Sequence, residues 1–326
     1  MTICISIILF LILLFVLWLL LICPADATNA QAAPFLGHAF AHRGLHGQKE
    51  GAPENSLRAF QLAVASGYGI ELDIALSRDH QVVVFHDDTL SRVCGVDGKI
   101  EEYDYAALQK FSLNGTTEHI PLFSDVLALV AGQVPLIVEF KHTSDNKALV
   151  QLALALLDHY KGPYCVESFN PLILSRIRRA RPNLFRGQLS CRLMKTGNGA
   201  KAFPLQYLLF NFISRPHFIA YEYTQMDNLS YRAAVKLLHA IPVAWTIRSA
   251  EVFYQLFDAG IDIQIFEGFL PPAVIVDGDP ESDSEGTSSS DKVNDDMPSD
   301  QQNASEHVGV DYESVSSGEK TPDASK

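Results

Sequence analysis

Nine short runs rich in β-branched and aromatic residues recur along the middle of the chain, and stretches with apolar residues at helical spacing separate most of them. That alternation constrains the fold most, because strands that alternate with helices pair in parallel and are covered on both faces. The runs are 39–42, 69–76, 82–86, 135–141, 164–169, 185–189, 218–221, 243–247 and 261–266. Helices are predicted over 56–66, 148–159, 171–180, 231–239 and 250–259; in the first, Leu57, Phe60 and Val64 share a face.

Nine strands is one too many for a closed barrel of eight. The second and third runs are joined only by Ser77-Arg78-Asp79-His80-Gln81. A parallel crossover needs a dozen residues or more, whereas an antiparallel hairpin needs few. The third run is therefore read as a hairpin arm, and the other eight close a TIM-like (β/α)8 barrel, an α/β fold. Folding the hairpin about residue 79 or 80 sets His86 opposite Asp73, within two residues of Glu71.

The two chain ends have different compositions from this body. Ile3 to Cys23 contains no charge and is dominated by Leu, Ile, Phe and Val, about the 20 apolar residues that cross a bilayer as a helix. An uncleaved anchor over 1–24 is preferred to a secretory signal peptide cut near Ala25-Asp26-Ala27, since a positive n-region is missing and the apolar run exceeds a usual h-region. A single pass of the cell membrane is expected. No Lys or Arg occurs within the first 42 residues, so the positive-inside rule assigns no orientation. Residues 25–37 read as a linker and 38–272 as the barrel domain.

Residues 276–326 hold fourteen acidic side chains and three lysines, a balance of −11 within a total of −13. With few large apolar residues, this tail cannot bury enough surface to offset the entropy of ordering, and it reads as a disordered, solubilising segment. The body is left at −2, without a basic field for a polyanion, and no nucleic-acid partner is expected. Oligomeric state is not encoded legibly. Cys94, Cys165 and Cys191 form an odd set without metal-ligand spacing and read as free thiols.

Active sites of parallel barrels lie at the carboxyl ends of the strands, and polar residues recur there. His42 and Arg43 end the first strand, Glu71 and Asp73 sit in the second, and Glu139 and Lys141 end the fourth. Positions 71 and 73 point to one side of their strand. With Glu139 they supply hard oxygen ligands suited to one divalent cation, Mg²⁺ or Ca²⁺. A lone Glu-x-Asp is more often an exposed strand face, but these carboxylates are flanked by Ile70, Leu72 and Ile74 and need a counter-charge. His42 and His86 suit an acid–base pair, because imidazole titrates near neutral pH. Arg43 and Lys141 suit phosphate binding, by a planar fork and a point charge respectively; either is also a candidate for a surface ion pair.

These residues resemble the signature of the glycerophosphodiester phosphodiesterases: His42-Arg43, Glu54-Asn55, Glu71-Leu72-Asp73 and His86-Asp87. The similarity continues through "GVDGKIEEYDYAALQKFSL", "IPLFSDVLAL", "LIVEFK", "VESFNPLIL" and "VAWTIRS", over roughly 39–270. The resemblance implies a TIM-like barrel, a divalent metal, and hydrolysis of glycerophosphodiesters to sn-glycerol 3-phosphate and an alcohol. Carried over by motif, Glu71, Asp73 and Glu139 ligate the metal, His42 and His86 are acid and base, and Arg43 and Lys141 contact phosphate. Glu54 orients this cluster, and Asn55 is expected as a helix N-cap before Ser56. Phe169 and Trp245 match aromatic positions that pack against glycerol, with core packing as the alternative. The family's route has the glycerol 2-hydroxyl attack phosphorus, giving a cyclic phosphate that water opens.

Two segments depart from the family pattern. "GIDIQIFEGFLP" places Glu267 where many members carry Thr-Asp, and "FPLQYLLFNFISRP" at 203–216 is unusually apolar. A buried helix is expected for the latter, with a lid or a membrane-facing patch as the alternative. Two further readings stand beside glycerophosphodiester hydrolysis. One is a lysophospholipase D or lipoteichoic-acid-type hydrolase acting on lipid-derived substrates at the membrane; the other is an inactive phosphate-binding barrel, which predicts the loss of at least one catalytic or metal group.

Overall fold

A computed structural model describes residues 2–47, 51–195 and 199–274; the acidic tail expected over 276–326 lies outside them. All nine predicted strands are present: β1 (Ala39–His42), β2 (Gly69–Leu76), β3 (Val82–Val84), β4 (Leu136–Phe140), β5 (Tyr164–Ser168), β6 (Arg186–Ser190), β7 (Phe218–Glu222), β8 (Ile241–Ile247) and β9 (Ile263–Phe266). Eight of them pair in parallel around a circle that closes where β1 bonds to both β2 and β9. β3 pairs antiparallel with β2 as the hairpin arm.

The register of that arm corrects one expectation. Ile74 faces Val84, and the Phe85 amide donates to the Asp73 carbonyl at 3.0 Å, so Phe85 rather than His86 stands opposite Asp73. β3 accordingly stops two residues before His86. The cause lies in the turn: the Ser77 amide donates to the Gln81 carbonyl, His80 takes a positive φ of 60°, and the fold-back centres on Asp79.

Strand alternation divides the layers. Ile70, Leu72 and Ile74 of β2 and Leu136, Val138 and Phe140 of β4 face outward into the helix layer. The residues between them face the interior. Its lower half is apolar, with Phe40, Ile137, Cys165, Phe218, Val243 and Ile265 in one cluster. Its upper half, at the carboxyl ends of the strands, carries the charged residues. Filling the base with rings and branched chains thus confines polar groups to one mouth.

Helices occupy Leu57–Ala65, Phe123–Val130, Asn146–Leu157, Pro171–Ala180, Leu229–Lys236 and Ala250–Asp258. Ser56 caps the first through its hydroxyl, which accepts from the Ala59 amide at 3.1 Å. Asn55 is therefore not the N-cap; its φ of 56° turns its carboxamide inward instead. The apolar segment 203–216 is not one buried helix either. It forms two single turns, Phe203–Gln206 and Asn211–Ser214, with Leu208, Asn211 and Ser214 buried and Phe203, Phe210 and Phe212 exposed.

A 21-residue apolar helix, Thr2–Ile22, precedes the barrel. Most of its length is exposed, but Ile22 is buried against Leu208, Ile219, Tyr221 and Tyr231. Among the described residues of the loop between β6 and β7 the helices are single turns, and the last turn of Thr2–Ile22 packs against Ile219 and Tyr221 of β7. All five cysteines are free thiols.

Candidate active site

Residues from five strands and two loops converge at the upper mouth. Asp73 of β2 is in register with Glu139 of β4, and Glu139 with Glu167 of β5. Glu71, Asp73 and Glu139 are buried, and one oxygen from each lies within 4.8 Å of the others. Like charges that close cannot all ionise unaided. Burial first, then the charges of Asp73, Glu167 and Glu139, push the Glu71 carboxyl well above its usual range. Glu139 is pushed up to about 7 by burial and Asp73, against the neighbouring Lys141 ammonium. Asp73 moves the other way: burial would raise it, but Lys141, His86, Arg43 and the Asn55 amide hold it down.

The cationic partners are placed around this group. Lys141 Nζ lies 3.0 Å from Glu139 Oε1 and 3.6 Å from Asp73 Oδ1. The Arg43 amide donates to Glu71 Oε2 at 3.0 Å, and its guanidinium bonds Glu54 at 2.7 Å and stands 3.5 Å from Asp73. Arg43 reaches both because its φ of 57° turns the chain sharply after β1, and Gly44 follows at φ 81°, where a Cβ would meet Ala59 at 2.9 Å. Asn55 Nδ2 donates to Asp73 Oδ2 at 2.9 Å, fixing which oxygen stays free. The other, Oδ1, is buried without a hydrogen-bond partner.

Both histidines are tied by Nδ1 to a carboxylate. His42 Nδ1 lies 3.0 Å from Glu267 Oε2, and His86 Nδ1 lies 2.6 Å from Asp87 Oδ1. Each ring therefore keeps Nε2 for exchange. Burial, the largest influence, lowers the His86 pKa, with Lys141 and Arg43 adding to it against Asp73 and Asp87. The hydrogen bond from His42, outweighing burial, takes Glu267 down to about 2. Phe169 and Trp245 stack edge to face across the mouth, centroids 5.7 Å apart. A pocket of about 280 Å³ opens beside them, lined by His42, Arg43, Trp245 and Arg248 among others.

The structure thus gathers His42, Arg43, Glu54, Asn55, Glu71, Asp73, His86, Glu139, Lys141, Phe169 and Trp245 at one end of the barrel. Sequence reading missed two members. Arg92 bridges Glu54 and Asp87 with bonds of 2.6 Å to each, linking the loop after β1 to the loop after β3; nothing in its local sequence distinguishes it. Glu167 is fully interior, its Oε2 lacks a partner, and burial followed by the Glu139 and Asp73 charges keeps its pKa well above normal. Its signal was present, since a lone Glu in the apolar run "YCVESF" repeats the pattern of Glu139 in "LIVEF".

Known proteins are similar to this chain in sequence and fold. A phosphodiesterase of Oleispira antarctica, solved in complex with the product sn-glycerol-3-phosphate, superposes with a TM-score of 0.59 and 25% identity over 72% of this chain and 94% of its own. A glycerophosphodiester phosphodiesterase of Caldanaerobacter subterraneus subsp. tengcongensis is 26% identical over 240 residues, 68% of this chain and 90% of that protein. A lysophospholipase D of Rattus norvegicus is 31% identical over 157 residues, which is 44% of this chain and 48% of that protein. The model of the glycerophosphoryl diester phosphodiesterase family matches residues 42–266, and the chain belongs to that family of phosphoric diester hydrolases.

Proposed function

We propose that this chain hydrolyses glycerophosphodiesters to sn-glycerol 3-phosphate and an alcohol, with one divalent cation held by Glu71, Asp73 and Glu139. The observation that carries the reading is the convergence of three buried carboxylates, two cations and two carboxylate-bound imidazoles at one mouth. The donor set fits Mg²⁺ or Ca²⁺, being all hard oxygen, with Asp73 Oδ1 buried and without a hydrogen-bond partner, though Lys141 Nζ stands 3.6 Å away. Bound there, the cation would offset charge building on the phosphoryl oxygens.

The protein's own groups account for the rest. Arg43 and Lys141 bind the phosphate, and Glu54, held in turn by Arg92, fixes the Arg43 fork. One imidazole removes the proton from the attacking glycerol 2-hydroxyl through Nε2. The other returns a proton to the departing alcohol as the P–O bond breaks. Reversing those roles adds water to the cyclic phosphate and gives glycerol 3-phosphate. Phe169 and Trp245 supply the apolar wall for the glycerol carbons.

A second reading, hydrolysis of lysophospholipids at a membrane, is favoured by the long exposed apolar helix Thr2–Ile22, and one relative is named a lysophospholipase D. The test is release of glycerol 3-phosphate from glycerophosphocholine by the purified chain, with and without chelator, beside His42→Ala and His86→Ala. A loss of about 10²–10⁴ in kcat is expected for each variant. Undiminished turnover in either variant overturns the acid–base pair; activity that survives chelation overturns the metal site.

A further inference from the structure

Glu267 faces two imidazoles, not one. Its Oε2 lies 3.0 Å from His42 Nδ1, and its Oε1 lies 3.8 Å from His46 Nε2. One donor atom from each of the three residues falls within 4.8 Å of the others, in a group separate from Glu71, Asp73 and Glu139. His42 ends β1 and Glu267 follows β9, so barrel closure brings them together. His46 arrives on the loop after β1, which is pinned where the Gly47 and Ala52 amides donate to each other's carbonyls at 2.8 and 3.1 Å.

The contact to His46 is too long for a hydrogen bond. It is close to the spacing one ion imposes on two of its ligands: Zn²⁺ in tetrahedral coordination holds neighbouring donors about 3.3 Å apart. Two imidazole nitrogens and one carboxylate are also the donors of an open zinc site, and they are softer than the all-oxygen group that suits Mg²⁺ or Ca²⁺. The hydrogen bond from His42 holds Glu267 down at about 2, and burial, the largest influence, keeps the His46 pKa below its usual value. Both therefore offer lone pairs at neutral pH. An ion can arrive from either side, because His46 lines a cleft of about 360 Å³ and His42 the pocket of about 280 Å³. One cation competes there: Arg248, 2.9 Å from Glu267 Oε2. Its side chain is 63% exposed, so it can swing into solvent when an ion enters.

We propose that His42 Nδ1, His46 Nε2 and Glu267 form a Zn²⁺ site, separate from the three buried carboxylates, whose occupation switches hydrolysis off. An ion on Nδ1 displaces the Glu267 hydrogen bond and fixes the ring's proton on Nε2. Over the two steps of the proposed reaction each imidazole must both take up and release a proton, and a metal-bound His42 cannot complete that exchange. The inhibitory consequence rests on the phosphodiesterase reading above; the ion site does not. Mg²⁺ or Ca²⁺ and Zn²⁺ would thus act in opposite senses at two donor sets within one mouth.

The test uses the full chain in detergent, with excess Mg²⁺ or Ca²⁺ to fill the carboxylate group, and compares the wild type with His46→Ala, His46→Asn and Arg248→Ala. Co²⁺ serves as the spectroscopic probe, because a tetrahedral nitrogen–oxygen site gives it strong visible absorption that an octahedral oxygen site does not. The wild type should show that absorption saturating at one Co²⁺ per chain and bleached by Zn²⁺. Both His46 variants should keep their turnover of glycerophosphocholine, which reports their folding. They should bind Co²⁺ at least about tenfold more weakly, the loss that follows even when an outer partner of a ligand is removed, and need correspondingly more Zn²⁺ for half-inhibition. Arg248→Ala should bind Co²⁺ about threefold more tightly, since its guanidinium no longer competes for Glu267. No such absorption in the wild type overturns the site, as does unchanged Co²⁺ binding and Zn²⁺ inhibition in both His46 variants. Absorption lost in those variants without any Zn²⁺ inhibition of the wild type keeps the ion site and overturns His42 as a proton carrier. If none of the proteins hydrolyses glycerophosphocholine, the phosphodiesterase reading falls, while the Co²⁺ titration of the wild type and Arg248→Ala still decides the site.

Discussion

Glu267 Oε2 stands 3.0 Å from Nδ1 of His42 and 2.9 Å from an Arg248 nitrogen. The two strands that carry this contact, β1 and β9, are the pair that closes the barrel, so closure itself completes the dyad. A carboxylate on Nδ1 fixes the ring's tautomer and orientation, and on the proposed mechanism Nε2 is the nitrogen that exchanges the proton. Glu267→Gln, which keeps the shape but removes the charge, should lower kcat about 10–100-fold with little change in KM, while Glu267→Asp recovers part of it. Steady-state kinetics on glycerophosphocholine checks the split; an effect confined to KM would assign Glu267 to substrate binding instead.

The raised carboxyls predict how metal affinity depends on pH. Glu139 is pushed up to about 7 by burial and Asp73, and Glu71 is raised well above its usual range. A cation must displace those protons, so its affinity falls as pH falls. Titrating Mg²⁺ or Ca²⁺ alone by calorimetry should show affinity rising up to neutrality by about tenfold per pH unit for each proton displaced, with proton release visible in buffers of different ionisation heat. Glu139→Gln should weaken binding and flatten that slope; pH-independent affinity in the wild type would refute the ligand set.

How much of this was legible follows from what sequence encodes locally. All nine strands were readable because runs such as "GIELDIAL" and "LIVEF" combine branched residues with turn signals at their ends. The carboxylates within them were readable as well, since a charge inside an apolar strand needs a structural reason. Contacts set by three-dimensional register were not. Whether Phe85 or His86 faces Asp73 depends on one hydrogen bond in the Ser77–Gln81 turn. Asn55 and Ser56 are both good N-cap residues, and the choice between them was made by Asp73, which takes the Asn55 carboxamide. Arg92 joins two loops that meet only once the hairpin has folded.

His217 makes stability depend on acid. The residue is buried below β7, where its Nδ1 accepts from the Arg186 amide at 3.3 Å. Burial first, then the Arg186 charge, lowers its pKa to about 4. Because the folded pKa lies below the unfolded value near 6.5, the unfolded chain takes up the proton first as pH falls. The folded state loses stability through the window from about 6.5 to 4, on the order of 3 kcal/mol in total, and gains none above it. Denaturation in detergent across that range should show the loss, and His217→Gln should remove this component of the slope. A slope unchanged in the variant would trace the effect to other groups.

Gly187 gives the strictest test of interior packing at the base of the barrel. It sits within β6, in register with Phe218, and a Cβ built on it would lie 1.9 Å from a ring carbon of Phe218. That ring has no room to retreat, being buried and seated against Phe185 at a centroid distance of 5.0 Å. Gly187→Ala should therefore destabilise by about 3 kcal/mol through overpacking, although alanine favours an ordinary strand over glycine. Phe218→Leu alone should cost about 1–2 kcal/mol by leaving a cavity. Combined, the two changes should be less damaging than their sum, because the smaller side chain vacates the space that the new methyl needs. Melting temperatures of the four proteins measure that coupling. Strict additivity would mean that the ring yields at no cost, and that the tight contact between Gly187 and Phe218 does not limit the barrel.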